Sequence, residues 1–219
     1  MRSLTLPLLF STLLLAGCGV LPHGKADRNP RPEPAAATSA FSSTSARQCL
    51  ADLGHAGVRY QALPNREFGG GCRTVDTVQL LDIGVPTTNL GALTCPLAAG
   101  FSAWARYAVQ PAARQMLGSD VVKIETMGTY ACRNINGAGS GKLSQHALAN
   151  AVDVSAFVLR DGRRVSVERG WNGDPREQAF LHALHASACR RFGTVLGPDY
   201  NSAHYNHLHF DMSGNGYCR

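Results

Sequence analysis

The order of elements in this chain predicts an α+β fold. A small antiparallel sheet carries a site at one end, helices pack on its other face, and disulfides staple the whole. Three observations predict it. Strand-like stretches at 58–63, 74–83, 120–130, 151–159 and 206–212 are interspersed with helical stretches at 45–53, 97–109 and 174–193. Six cysteines remain once the one in the leader is set aside, an even number that suits crosslinking in an exported domain. Four of the eight histidines and one aspartate gather in two short segments that lead into or form strands.

The first element is not part of the fold. Arg2 makes a short positive n-region and Leu4 to Ala16 is mostly apolar, too short for a comfortable membrane span. Leu15-Ala16-Gly17-Cys18 looks like a bacterial lipoprotein cleavage box, which implies a signal peptide over 1–17 and a lipidated Cys18. Gly19 follows the cysteine, and this favours the outer membrane if the cell has two. The segment to Ser45 is rich in Pro, Ala, Ser and Thr and reads as a tether over 18–45. Its flexible span is about 30 Å, from roughly 5–6 Å times the square root of its length.

The domain is expected over 46–219, a length that suits one modest core. Ser45 to Leu53 reads as a short helix ending near Gly54. Val58 to Leu63 and Thr74 to Ile83 alternate like strands, with Gly69-Gly70-Gly71 as a turn between them. Pro96 suits a first helical turn, Leu97 to Val109 follow as a helix with Trp104 and Tyr107 in the core, and Pro111 ends or kinks it. Asp120 to Tyr130 is a strand that delivers Cys132 and Arg133 to a glycine-rich loop, 136–142, expected to border a cleft. Asp161-Gly162 marks a hairpin. Asp174 then caps a helix with Pro175 at its first position and Gly193 as its stop. His182 and His185 lie on that helix and are expected at the surface.

The cysteines are Cys49, Cys72, Cys95, Cys132, Cys189 and Cys218, with no C-x-x-C pair to suggest metal ligation. The expected pairing is sequential: Cys49–Cys72, Cys95–Cys132 and Cys189–Cys218. The formal net charge is +6, which could favour an anionic partner such as cell-wall polymer or phospholipid. No nucleic-acid motif is present and the leader points outside the cell, so nucleic acid is not expected as a partner.

Two segments carry the chemistry. Ser144 to Val154 contains His146 and Asp153; His204 to Phe210 contains three histidines. On a strand from Ala151, period two puts Ala151, Asp153, Ser155 and Phe157 on one face, with Asp153 among apolar neighbours. A carboxylate there is costly unless its charge is compensated. His207 and His209 flank Leu208 and share one strand face, so both can approach one ion, or one can bind it while the other handles water. A catalytic zinc takes three such ligands and leaves a fourth position to water.

Ser144, His146, Ala151 and Asp153 resemble the S-x-H-x-x-G-x-A-x-D pattern of the zinc peptidase superfamily that includes lysostaphin, bacterial D-Ala-D-Ala peptidases and the hedgehog N-terminal domain. More closely, Cys132-Arg133-Asn134, Ser144-Gln145-His146-Ala147, Ala151 to Val154, Gly197 to Asn201 and His207-Leu208-His209 look like the bacterial extensin-like C-terminal domain family, over roughly residues 49–219. The resemblance implies zinc bound by His146, Asp153 and His209. It implies a role for His207 on the water or the transition state, and one for Arg133 on the substrate carbonyl, with His204 assisting. Asn206 stands where the carboxypeptidase branch has Glu, and Ala149 where many relatives have Gly. The implied activity is zinc-dependent hydrolysis of peptidoglycan peptides by a lipid-anchored envelope protein. The rival is an inactive zinc-containing module that binds cell-wall peptide.

Overall fold

A computed structural model describes residues 43–214 and 216–219. The leader, Cys18 and the tether up to residue 42 lie outside the described residues. Among those described, no helix is long and apolar enough to cross a membrane.

Helix α1 spans Thr44–His55, capped by Ser43, whose hydroxyl accepts from the Ala46 amide; it therefore begins inside the expected tether. Strands β1 (Arg59–Ala62), β2 (Arg66–Glu67), β3 (Arg73–Thr74), β4 (Thr77–Asp82), β5 (Thr87–Thr88) and β6 (Leu93–Thr94) follow. The expected strand over 74–83 is split because Asp76 takes a left-handed φ of 50°. The three glycines 69–71, all at positive φ, close the β2–β3 hairpin.

Helix α2 (Cys95–Trp104) does not end at Pro111. A π-helical turn over Ala105–Val109, a short α3 (Gln110–Ala112) and a second π turn over Ala113–Leu117 carry the path on to Gly118, which stops it at φ 68°. The widened turns on either side absorb the proline ring and its missing donor. Gln110 docks this run on the next strand, giving a hydrogen bond to the Val121 carbonyl and accepting one from its amide. Strands β7 (Val121–Gly128), β8 (Ala151–Leu159) and β9 (Arg164–Ser166) lead to α4 (Val167–Gly170) and α5 (Pro175–Cys189). Asp174 caps α5 through the Arg176 and Glu177 amides. The chain closes with β10 (Thr194–Leu196), β11 (Leu208–Asp211) and β12 (Tyr217–Cys218).

The architecture is mixed α+β, but the described residues form three sheets rather than one small one. The largest has seven strands, ordered β12-β10-β11-β8-β7-β5 with β9 also on β8. It is not wholly antiparallel, since β5–β7 and β10–β12 are parallel. The others are β1-β4-β6 and β2-β3. On the large sheet, one face meets the helices. Leu208 and Phe210 of β11 and Val152 and Val154 of β8 join Phe101, Trp104, Phe180 and Leu184 in one core. The buried Trp104 ring lies 4.9 Å from Phe210 and 6.1 Å from Phe157, and its indole N–H donates to the Leu184 carbonyl. Tyr107, expected beside it in the core, is 67% exposed, because the π turn rotates it outward.

Phe157 also departs from strict alternation. It packs in the core with Val152 and Val154, not on the face of Asp153. The cause is a bulge: Glu125 pairs with Ala156 but Thr126 with Val154, leaving Ser155 as the extra residue. The disulfides are Cys49–Cys95, Cys72–Cys132 and Cys189–Cys218, with Cα separations of 6.1, 5.5 and 5.6 Å. Two of the three sequential pairs are thus corrected. Helix α1 packs on α2, bringing Cys49 to Cys95, and the β2–β3 hairpin lies under the segment after β7, bringing Cys72 to Cys132.

Trp104→Ala is expected to cost about 3–5 kcal/mol, the range for emptying a large aromatic site, whereas Tyr107→Ala stays within about 0.5 kcal/mol. Urea unfolding of the oxidised protein measures both; similar losses for the two would refute this placement of the core.

Candidate metal centre

Three elements deliver the site. Asp153 lies on β8 directly between His209 of β11 and Gly128 of β7 in the ladder. His209 points away from the core because Leu208 and Phe210 on either side point into it. His146 comes from the 3-10 turn Gln145–Leu148, where the Ser144 hydroxyl accepts from the His146 amide. The chain then turns through Ala149, held left-handed at φ 53°, before entering β8. That conformation costs an L-residue roughly 1–2 kcal/mol, which accounts for glycine in the pattern this segment resembles.

The ligand-type atoms converge. His146 Nε2 is 3.1 Å from Asp153 Oδ2 and 3.2 Å from His209 Nδ1, and His209 Nδ1 is 2.8 Å from Asp153 Oδ1. All three residues are buried. His146 Nδ1 lies 3.1 Å from the Thr129 carbonyl oxygen, which can only accept. The proton of a neutral His146 is therefore on Nδ1, a tautomer assigned from this contact. Its Nε2 lone pair then faces a carboxylate oxygen: two acceptors oppose each other and need a positive charge between them. Protonating both imidazoles would place two cations 3.2 Å apart in a buried site, which is costly. One divalent cation resolves every opposition at once. The donor set, two imidazoles and a carboxylate, is one that zinc accepts. Zn–N bonds of ~2.0–2.1 Å in a tetrahedron set donors about 3.3 Å apart, close to the 3.1 and 3.2 Å found for two of the pairs; the third, His209 to Asp153, is tighter at 2.8 Å.

Electrostatics follow from the same contacts. Burial pushes the Asp153 carboxyl up, but the imidazoles of His146 and His209 against it outweigh that and hold the group far below the usual carboxylate range. Burial pulls His209 down, yet Asp153 and Asp211 hold it up at about 9. Asp211 Oδ2 lies 3.1 Å from His209 Nε2, so the ring is clamped between two carboxylates. Burial and the neighbouring His207 and His209 depress His204 to about 4. Burial also lowers His207.

His207 precedes β11 rather than lying in it, yet its Nε2 reaches within 3.7 Å of Asp153 Oδ1. Its Nδ1 lies 2.9 Å from Asn206 Oδ1 and donates to it, leaving the Nε2 lone pair free. His204 is arranged likewise by Asn201 at 2.7 Å and lies 5.0 Å from the His207 ring. Arg133 brings Nη2 to 3.9 Å from Asp153 Oδ2. Arg133, His146, His204, His207 and His209 thus line one cleft of about 660 Å³, with Asp153 beneath it in contact with His146 and His209. The sequence reading missed Asp211, Asn206 as an orienting group, and the Thr129 carbonyl. Asp211 is readable as the next member of H-x-H-x-D on one strand face; the carbonyl leaves no sequence signal. His185 is half-buried rather than at the surface, and its Nε2 donates to the Arg219 carbonyl. It sits beside Cys189 and Cys218, whose sulfurs are bonded to each other.

A disulfide-stapled α+β domain with two imidazoles and a carboxylate converging under an open cleft belongs to the class of candidate metal-centre proteins. More particularly, residues 47–219 match the family described as extensin-like protein C-terminus, and the chain belongs to that family. No match is found among curated proteins or among solved structures.

In the metal-free protein, His209 is expected to remain protonated through neutral pH while His204 stays neutral down to about pH 4. A histidine raised on folding adds stability that is fully present below ~6.5 and lost as pH rises through the folded value. Chelator-treated protein should therefore lose stability from about neutral pH toward about 9. Imidazole NMR titration, with Asp211→Asn as comparison, checks the assignment: an unchanged His209 titration in that variant would break it.

Proposed function

We propose that this chain is a zinc-dependent peptidase acting on the peptide stems or crosslinks of peptidoglycan, held at the cell envelope by a lipid on Cys18. The observation that carries the reading is the opposed acceptors of His146 Nε2 and Asp153 Oδ2, with His209 Nδ1 against both, together with the free Nε2 of His207 beside them. The resemblance of this ligand spacing to the lysostaphin and D-Ala-D-Ala peptidase superfamily supports it. When bound, zinc supplies Lewis acidity and can lower the pKa of water from ~15.7 to ~7.

The chain's own residues supply the rest. His207, kept neutral by burial and oriented by Asn206, accepts a proton at Nε2 and returns it to the leaving amine. Asn206 therefore orients a base instead of replacing the Glu of the carboxypeptidase branch. Arg133, whose side chain is 39% exposed, offers donors to the carbonyl oxygen as negative charge develops there. His204 stays neutral beside His207 and presents a second unprotonated imidazole to the cleft. Asp211 and the Thr129 carbonyl fix the two ligand rings, a task commonly left to carboxylates and backbone oxygens around a metal.

Metal content by mass spectrometry is the first test. One zinc per chain is expected, lost in His146→Ala and Asp153→Ala. Asp211→Asn should weaken zinc about 10- to 100-fold in a competition with a chelator. His207→Ala should keep zinc and lose about 10²- to 10⁴-fold in hydrolysis of purified peptidoglycan. A parent that binds zinc and peptidoglycan without cleaving it would make this a binding module. A well-folded parent that takes no zinc even when supplied would end the metal reading.

A further inference from the structure

The cleft has a cationic lip, Arg133 and Lys142, of which the hydrolytic reading uses only Arg133. Between Cys132 and Gln145 the chain doubles back as a short antiparallel ribbon. Asn134 bridges Leu143, the Ser144 amide donates to the Arg133 carbonyl at 3.0 Å, and the Ile135 amide donates to the Lys142 carbonyl at 3.0 Å. In this register Arg133 stands opposite Ser144 and Ile135 opposite Lys142. All four share one ribbon face, while Asn134 and Leu143 share the other. Arg133, Ile135, Lys142 and Ser144 all line the cleft. Arg133 and Lys142 are thus diagonal neighbours, about 7–8 Å apart at the backbone and within joint reach of one ligand.

Of the two, only Arg133 meets an acid from inside the protein, Asp153 at 3.9 Å. Lys142 is exposed and makes no ion pair among the described residues. Asp211, the one carboxylate among the cleft-lining residues described, is taken by His209 and by the Ser213 amide. Asp153 beneath it is taken by His146 and His209, with Arg133 only at 3.9 Å. The mouth therefore carries two cations and no free acid, and a divalent cation below would add to the same sign.

We propose that Lys142, with Arg133 beside it, is a carboxylate-recognition site that selects substrates bearing a free carboxylate next to the bond presented to the cleft. The proposal rests on the hydrolytic reading only for the word substrate; as a binding site for acidic peptides it stands without it. Lys142 is a specificity residue and not a catalytic one. A flexible ammonium on a loop can follow a carboxylate at more than one distance from the ribbon, where a fixed guanidinium could not.

The test uses the full chain loaded with zinc, a synthetic stem pentapeptide with free carboxylates, and the same peptide with its carboxylates capped as carboxamides. The parent is expected to prefer the acidic peptide, and Lys142→Gln to shrink that preference roughly threefold to tenfold, through KM rather than kcat. Lys142→Glu should reverse it, and high salt should weaken it in the parent. Equal handling of both peptides by the parent, or a preference unchanged in Lys142→Gln, overturns the proposal. If neither peptide is cleaved, calorimetric binding of the same pair decides it: a Lys142-dependent preference for the acidic form upholds the site while hydrolysis falls, and equal or absent binding overturns it.

Discussion

Everything in this domain is arranged around one carboxylate taken out of water. Asp153 is buried in the middle strand of the main sheet, where an ionised group is tolerated only if cations and donors surround it. The fold meets that demand from three sides: His209 across the ladder, His146 from a capped turn, and Arg133 from the ribbon above. None of the three is itself free to drift. His209 is braced by Asp211, His146 by the Thr129 carbonyl, and Arg133 by a disulfide at the preceding residue. The rigidity is that of a site whose partners are positioned before any ligand arrives.

The sheet can host this charge because its two faces are kept apart. Along β11 the side chains alternate cleanly, with Leu208 and Phe210 against the helices and His209 and Asp211 toward the cleft. Along β8 the same separation survives a defect. The bulge at Ser155 lets the first half of the strand place Asp153 at the site while the second half returns Phe157 to the core against Trp104 and Phe180. Without that extra residue, one of the two would be on the wrong side. The Ser155 hydroxyl donates to the Glu125 carbonyl across the bulge, satisfying an acceptor there.

How much of this is legible in the chain follows from the range of the physics involved. The halves of the cluster are legible because period-two alternation is local: His207, His209 and a strand entry at Ala151 can be read within a few residues. The cap at Asp174 is equally local. What is not legible depends on distant neighbours. The pairing of Cys49 with Cys95 and of Cys72 with Cys132 is decided by which elements pack together, not by order. The bulge at Ser155 depends on the partner strand's register. The path through Pro111 depends on a side chain eleven residues before the strand it grips, since Gln110 ties the widened helix to Val121. Asp211 lies between these cases. Its spacing is plain, and its meaning appears only when both nitrogens of His209 are accounted for.

The bond between Cys72 and Cys132 has a consequence beyond packing. It sits one residue from Arg133 and ties the base of the ribbon to the β2–β3 hairpin. Disulfides of this kind form where thiols are oxidised and not in the cytosol. The lip of the cleft is therefore held by a bond that reduction would open, whereas Asp153 and His209 are held by the strand ladder.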